Sequence, residues 1–256
     1  MSHDSSNSGP RAALITGGGR RIGAAIARAL SRAGFAVVLH ANTSGAEAEA
    51  LADEINDAGG RAHVVLADLA DANAVGGLIP AAAAFAPLSL LVNNASVFDE
   101  DDIASLMRAQ FETTMAINLT APLLLAQAFA AQAARSGDAS IINILDQRVL
   151  RPTPKFFSYT LSKSALHTAT TTLAQALAPL RVNAVAPGPV LPSPRQTPAQ
   201  FALQSAAVPL GYGPSPEDIA AAVVYLAAAT SVTGVTLPVD GGQHVAWRTP
   251  DSDVAE

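Results

Sequence analysis

Residues 12–23 read Ala12-Ala13-Leu14-Ile15-Thr16-Gly17-Gly18-Gly19-Arg20-Arg21-Ile22-Gly23, and an alanine-rich stretch continues to residue 33. A short apolar run, a break and a helix-length segment make the first half of a βαβ unit. Glycines at such a junction let the chain bend tightly and bring its backbone close to a pyrophosphate, which the helix N-terminus then stabilises. The common dinucleotide fingerprint is not matched, because Ile22 stands where a third Gly or Ala should follow Gly17 and Gly19. Two arginines in the turn would set cationic forks beside phosphates or an anionic substrate.

The same alternation runs outward from this stretch. Apolar runs at 12–16, 36–39, 62–66, 88–93, 140–145, 182–186 and 236–239 are separated by helix-length segments such as 20–33, 46–58, 113–134, 159–177 and 216–228. The runs are near-continuously apolar, as in strands buried on both faces. The pattern predicts one α/β domain over 11–256, a doubly wound parallel sheet of about seven strands with helices on both faces and right-handed crossovers. The first ten residues, rich in Ser, Asn and Gly, read as a disordered lead-in. Eight prolines between 187 and 216 mark a long loop, which at the carboxyl end of a strand is placed to cover a ligand.

Composition narrows the function. Fifteen Lys and Arg against 21 Asp and Glu give a net charge of −6, which opposes sequence-independent nucleic-acid binding. With no cysteine there is no thiolate nucleophile and no Cys-ligated metal. His3, His40, His63, His167 and His244 have no ligand spacing, so no metal is expected. The start is polar, unlike a signal peptide, and the most apolar window, 78–92, is too short to span a bilayer and carries Pro80 and Pro87. A cytoplasmic protein without a membrane segment is expected. At the end of the second run, Ala41 takes the place where an NAD site usually puts a carboxylate, followed by Asn42, Thr43 and Ser44. Without a carboxylate to repel a 2′-phosphate, NADP is favoured, although a basic residue for that phosphate is missing from the segment.

Further along stand Asn93-Asn94-Ala95-Ser96, Asn118, Asp146, Tyr159-Thr160-Leu161-Ser162-Lys163 and Pro187-Gly188. With the Thr16-Gly17 turn and in this order, they make the chain resemble the short-chain dehydrogenase/reductase family over 11–247. Three departures resemble its pteridine reductase branch, which includes dihydromonapterin reductases: Asp146 where a Ser usually precedes the Tyr by thirteen residues, Arg21 for a turn glycine, and Ser96 for the last glycine of Asn-Asn-Ala-Gly. The resemblance implies a Rossmann-like fold, an NADP(H) cofactor, a small-molecule substrate and a homotetramer. It implies catalysis by Tyr159, Lys163, Asp146 and Asn118, with Asn118 anchoring a water chain that refills the proton. For the cofactor it implies Gly17, Arg20, Arg21, Ile22, His40, Asn42, Thr43, Ser44, Asp68, Leu69, Asn94, Ala95, Ser96, Pro187 and Gly188 beside Tyr159 and Lys163. For the substrate it implies Arg21, Phe98, Asp146, Tyr159 and Val190, Phe98 stacking on a pterin while the Asp and Tyr protonate ring nitrogens.

The residues give these roles a chemical sense. Tyr is a poor acid near neutrality, its ordinary pKa being about 10, and a nearby Lys ammonium should lower that value. Tyr159 and Lys163, four apart, share a helix face. A carboxyl at 146 can exchange a proton with a ring nitrogen or bond an amino-pyrimidine edge, and it disfavours a developing alkoxide. Three readings stand: a reductase of pterin, dihydropterin or dihydrofolate; a carbonyl reductase of a ketone or acyl-thioester; and a catalytically silent NADP-binding sensor or scaffold. The set Asn118, Tyr159 and Lys163 speaks against the last.

Overall fold

A computed structural model describes residues 11–133 and 138–247, so the lead-in at 1–10 lies outside the described residues. Seven strands, β1 (Ala12–Ile15), β2 (Ala36–Ala41), β3 (Ala62–Leu66), β4 (Leu88–Asn93), β5 (Ser140–Ile144), β6 (Arg181–Pro187) and β7 (Thr236–Val239), form one sheet. Its order is β3-β2-β1-β4-β5-β6-β7, and every neighbouring pair is parallel. The strand order reverses between β1 and β4, and in an open sheet a ligand crevice lies beyond the carboxyl ends at that point.

Among the described residues there are eight α-helices, α1 (Arg21–Arg32), α2 (Gly45–Asp57), α3 (Ala72–Phe85), α4 (Arg108–Met115), α5 (Ala121–Ala133), α6 (Phe157–Ala176), α7 (Pro198–Ala206) and α8 (Pro216–Ala228), and all but α4 and α7 pack on the sheet. One apolar core joins α1, α2 and α8 to the sheet through residues such as Ile26, Leu30, Leu51, Val223 and Leu226. Another, with Leu78, Leu125 and Phe129, joins α3 and α5 to the opposite face. The central strands are buried along their whole length, as their unbroken apolar runs predict. The two end strands depart from that expectation. In β3 His63 points outward and Leu66 is 64% exposed, while all of β7 is half-buried. An edge strand has a neighbour on one side only, which apolar composition does not reveal.

Two expectations about helices need correction. The helix expected over 113–134 begins earlier, at α4, and is interrupted by a π-turn at Ala116–Thr120 before α5. Together they run 26 residues, long and apolar enough by composition to cross a membrane, but here the segment packs against α3 and α6. The proline-rich 187–216 segment is not all loop, for it holds α7. Pro198 opens that helix, where its missing N–H costs nothing. Thr197 and Gln200 close a capping box around its first turn.

Candidate active site

The first βα turn is locked to the neighbouring strand. Thr16 Oγ1 accepts the backbone N–H groups of Asn94 (2.9 Å) and Ala95 (3.0 Å). The Asn94 amide donates to the carbonyls of Thr16 and Gly17 at 2.8 and 3.1 Å. Gly17 has φ +61°, and a Cβ on Gly23 would lie 2.1 Å from the Gly17 carbonyl oxygen, so both glycines are demanded by the turn. His40 braces it from below: Nδ1 accepts the Gly17 N–H at 3.1 Å, which leaves Nε2 to donate to the Ala67 carbonyl at 3.1 Å. Burial lowers the His40 pKa, keeping the ring in the neutral form that this pair of contacts needs.

Arg21 stands in the left-handed region at φ +52°, a conformation natural to the glycine it replaces. Its guanidinium reaches the loop after β6, donating to the carbonyls of Pro192 (3.0 Å) and Leu191 (3.5 Å). Strain here is exchanged for a tie between turn and loop. Arg21→Gly is therefore expected to raise stability by about 1 kcal/mol, or a few degrees in Tm. The same change should weaken substrate binding, because the loop loses its hold. A calorimetric scan beside a KM measurement checks both signs.

Two adjoining cavities open at the carboxyl ends of the strands, sharing Arg21, Ile22, Asn94 and Ser96. The one between β1, β2 and β4, about 360 Å³, is also lined by Gly17, Arg20, His40, Asn42, Thr43, Ser44, Asp68, Leu69 and Ala95. The other, about 400 Å³, is also lined by Phe98, Asp146, Tyr159, Lys163, Pro187, Gly188 and Val190. Every residue expected at the site thus faces one cavity or the other, except Asn118. That residue sits fully buried in the π-turn, where its amide is spent on both backbone groups of Val97 and on Ser162 Oγ. Its side chain fixes the loop carrying Phe98 through both backbone groups of Val97.

The second cavity centres on Tyr159, whose hydroxyl donates to Asp146 Oδ2 at 3.1 Å. Asp146 is at once a cap of the short turn Gln147–Val149, accepting the Arg148 N–H at 2.8 Å, and a partner of the Tyr159 phenol. Phe98 stacks on Phe156 (centroids 4.2 Å apart) and meets the Tyr159 ring edge-on at 4.6 Å. Phe156 starts α6 in the left-handed region at φ +55°. Lys163 lies 5.7 Å from the Tyr159 ring and donates to the Ile144 carbonyl at 2.7 Å. Its burial lowers its pKa from 10.5 to about 8 against the opposing pull of Asp146.

One electrostatic expectation is overturned. Lys163 does not bring the Tyr159 phenol down; burial, and then the Asp146 charge, push its pKa well above 10.0, with Arg148 only partly offsetting them. A buried phenol beside an anion keeps its proton.

Several contributors had no signal in the spacing of motifs. Arg148 bonds Asp146 at 3.2 Å, and Arg195 donates to the Phe98 carbonyl while lying 5.4 Å and 5.5 Å from the Phe98 and Phe156 centroids. Asp101, 5% exposed, accepts the Ser158 N–H at 3.1 Å and the Ser158 hydroxyl, capping α6 from a distant loop. Among the described residues no group of three or more His, Asp or Glu side chains is placed to hold a metal ion.

Two adjoining cavities beyond the strand ends, beside the point where the strand order reverses, form the ligand crevice expected of an open parallel sheet. A family model described as enoyl-(acyl carrier protein) reductase matches residues 18–244, and the chain belongs to the short-chain dehydrogenase/reductase family. Among solved structures it is similar to the alternative dihydrofolate reductase FolM of Brucella canis, complexed with NADP. The identity is 47%, over 96% of this chain and 97% of that one, with a TM-score of 0.91. FolM of Brucella suis, also in complex with NADP, is 48% identical over 94% and 98% with the same TM-score of 0.91. An uncharacterized oxidoreductase of Mycobacterium tuberculosis is 39% identical over 91% of each chain.

Proposed function

We propose that the chain is an NADPH-dependent reductase of a pterin or dihydropterin, dihydrofolate included. The observation that carries this reading is the Asp146 carboxylate, 3.1 Å from the Tyr159 hydroxyl beside the Phe98–Phe156 pair. Reduction of a ketone builds an alkoxide, which a neighbouring carboxylate repels, whereas a pterin ring offers N–H groups that a carboxylate accepts. The similarity to the two FolM structures supports the same reading.

The residues present fit the cofactor. The N-terminus of α1 carries no side-chain cap, so its free N–H groups suit a pyrophosphate, and the glycines let the turn pack tightly beneath them. At the rim of the smaller cavity, neutral Asn42, Thr43 and Ser44 share the lining with Arg20, which supplies the cation missing from that segment for a 2′-phosphate. NADPH, when bound, supplies the hydride. Lys163 contributes a buried cation to the larger cavity, Tyr159 holds the proton to be delivered, and the aromatic pair offers a flat ring a stacking surface. The proposal includes a cytoplasmic homotetramer, supported by the family resemblance.

The test is consumption of NADPH with dihydrobiopterin, dihydromonapterin and dihydrofolate, run beside a ketone panel. Turnover of a pterin, lost in Asp146→Ser far more than any ketone turnover, is the expected result. Ketone turnover with silence on every pterin would make the chain a carbonyl reductase instead. Tight NADPH binding without turnover of either class would make it a sensor or scaffold.

A further inference from the structure

Asp146 is surrounded by donors. Its Oδ1 accepts the Arg148 N–H at 2.8 Å, its Oδ2 accepts the Tyr159 hydroxyl at 3.1 Å, and Arg148 Nη1 stands 3.4 and 3.2 Å from the two oxygens. An anionic acceptor satisfies all of these contacts, whereas a protonated acid would bring one more donor into a ring of donors. The guanidinium is held in turn. Its Cζ lies 5.3 Å from the centroids of both Phe98 and Phe156, so swinging outward would forfeit two ring contacts and the ion pair together. Its Nε is buried without a hydrogen-bond partner among the described residues, although the side chain lines the cavity.

We propose that Arg148 is a positioning residue that keeps Asp146 an acceptor for a substrate N–H, so that the proton delivered in the reaction comes from Tyr159 alone. This rests on the functional reading above and departs from the expectation that Asp146 protonates the ring. In the step itself, the carbon of a ring C=N gains hydride from the reduced nicotinamide and its nitrogen gains the Tyr159 proton. The phenolic O–H bond breaks, an N–H bond forms, and water returns a proton to the phenolate. Asp146 neither gains nor loses a proton; it orients the ring. A substrate with a carbonyl oxygen in place of that N–H would meet a carboxylate and bind poorly.

A double-mutant cycle with dihydrobiopterin tests this, using Arg148→Met, Asp146→Asn, the double variant and Arg148→Lys. Circular dichroism and the Kd for NADPH check each fold, and fluorescence titration with pterin supplies a binding readout apart from turnover. Each single variant should raise KM and the pterin Kd about tenfold or more, the worth of a hydrogen bond to a charged group, with kcat little changed. The double variant should be no worse than the worse single, because Arg148 acts through Asp146. Arg148→Lys, which keeps the cation without the fork, should recover most of the affinity and stands in should the Met variant not fold. A collapse of kcat in Asp146→Asn, additive effects in the double variant, or an unaltered Arg148→Met would each overturn the proposal. If the wild-type chain neither binds pterin nor turns over dihydrobiopterin, the functional reading fails and this inference with it. If the wild type does both and the cycle fails, only the inference falls.

Discussion

Tyr159→Phe is expected to cut turnover by about 10²–10⁴-fold, the range for loss of a positioned general acid, while NADPH binding stays within error of wild type. The phenyl ring can keep its edge-on contact with Phe98, since the substitution removes one oxygen and its bond to Asp146. The raised pKa of the phenol sharpens the expectation: at neutral pH the group is a reservoir of a proton, not a base. A nitrogen that has just received the electron pair of an adjacent hydride transfer is a stronger base than phenolate and can still take that proton. Fluorescence titration of NADPH beside initial rates separates the two quantities. Survival of most of the rate would end the assignment of Tyr159.

Lys163→Met should reduce turnover by about 10²–10³-fold, the usual cost of losing one preorganised electrostatic group at a reacting centre. The charge of this buried side chain also sets a pH limit. Its pKa falls from 10.5 in the unfolded chain to about 8 in the folded one, so between those values the unfolded state binds more protons. Folding stability therefore rises with pH across that window, while the cation that the site uses is being lost. The expected outcome is a kcat/KM for NADPH that declines as pH rises through about 8, with no accompanying loss of Tm. In Lys163→Met that basic limb should vanish along with most of the rate. A limb that persists in the variant would assign it to another group.

Much of the candidate site was readable because most of its motif residues sit at the end of a strand or near the start of a helix. The thirteen-residue spacing of Asp146 and Tyr159 in the chain becomes a 3.1 Å contact because the end of β5 and the start of α6 meet over the same crevice. Arg20, Arg21 and the neutral Asn42–Thr43–Ser44 segment likewise share one cavity, since β1 and β2 are neighbours in the sheet. Arg148, Arg195 and Asp101 were not legible in this way. Arg195 reaches Phe98 across 97 positions and Asp101 reaches Ser158 across 57, distances over which no local periodicity carries a signal. Arg148 was closer at hand, but an arginine after an acid is ordinary in a sequence until its two ring contacts are seen.

The sequence by itself determined the architecture: apolar runs long enough for buried strands, helix-length segments between them and glycine at the first turn admit few arrangements other than a parallel, doubly wound sheet. It also determined which residue types reach the crevice, because motif residues stand just beyond apolar runs whose ends the sheet aligns. The tertiary structure alone decided which partners those residues meet and how far each is buried. Whether Tyr159 is a ready acid, whether Asp146 gives or accepts, and whether Asn118 relays or clamps depend on desolvation and on partners a few ångströms away in space. Such terms fall off with distance through the folded protein and not along the chain, so composition and spacing cannot express them.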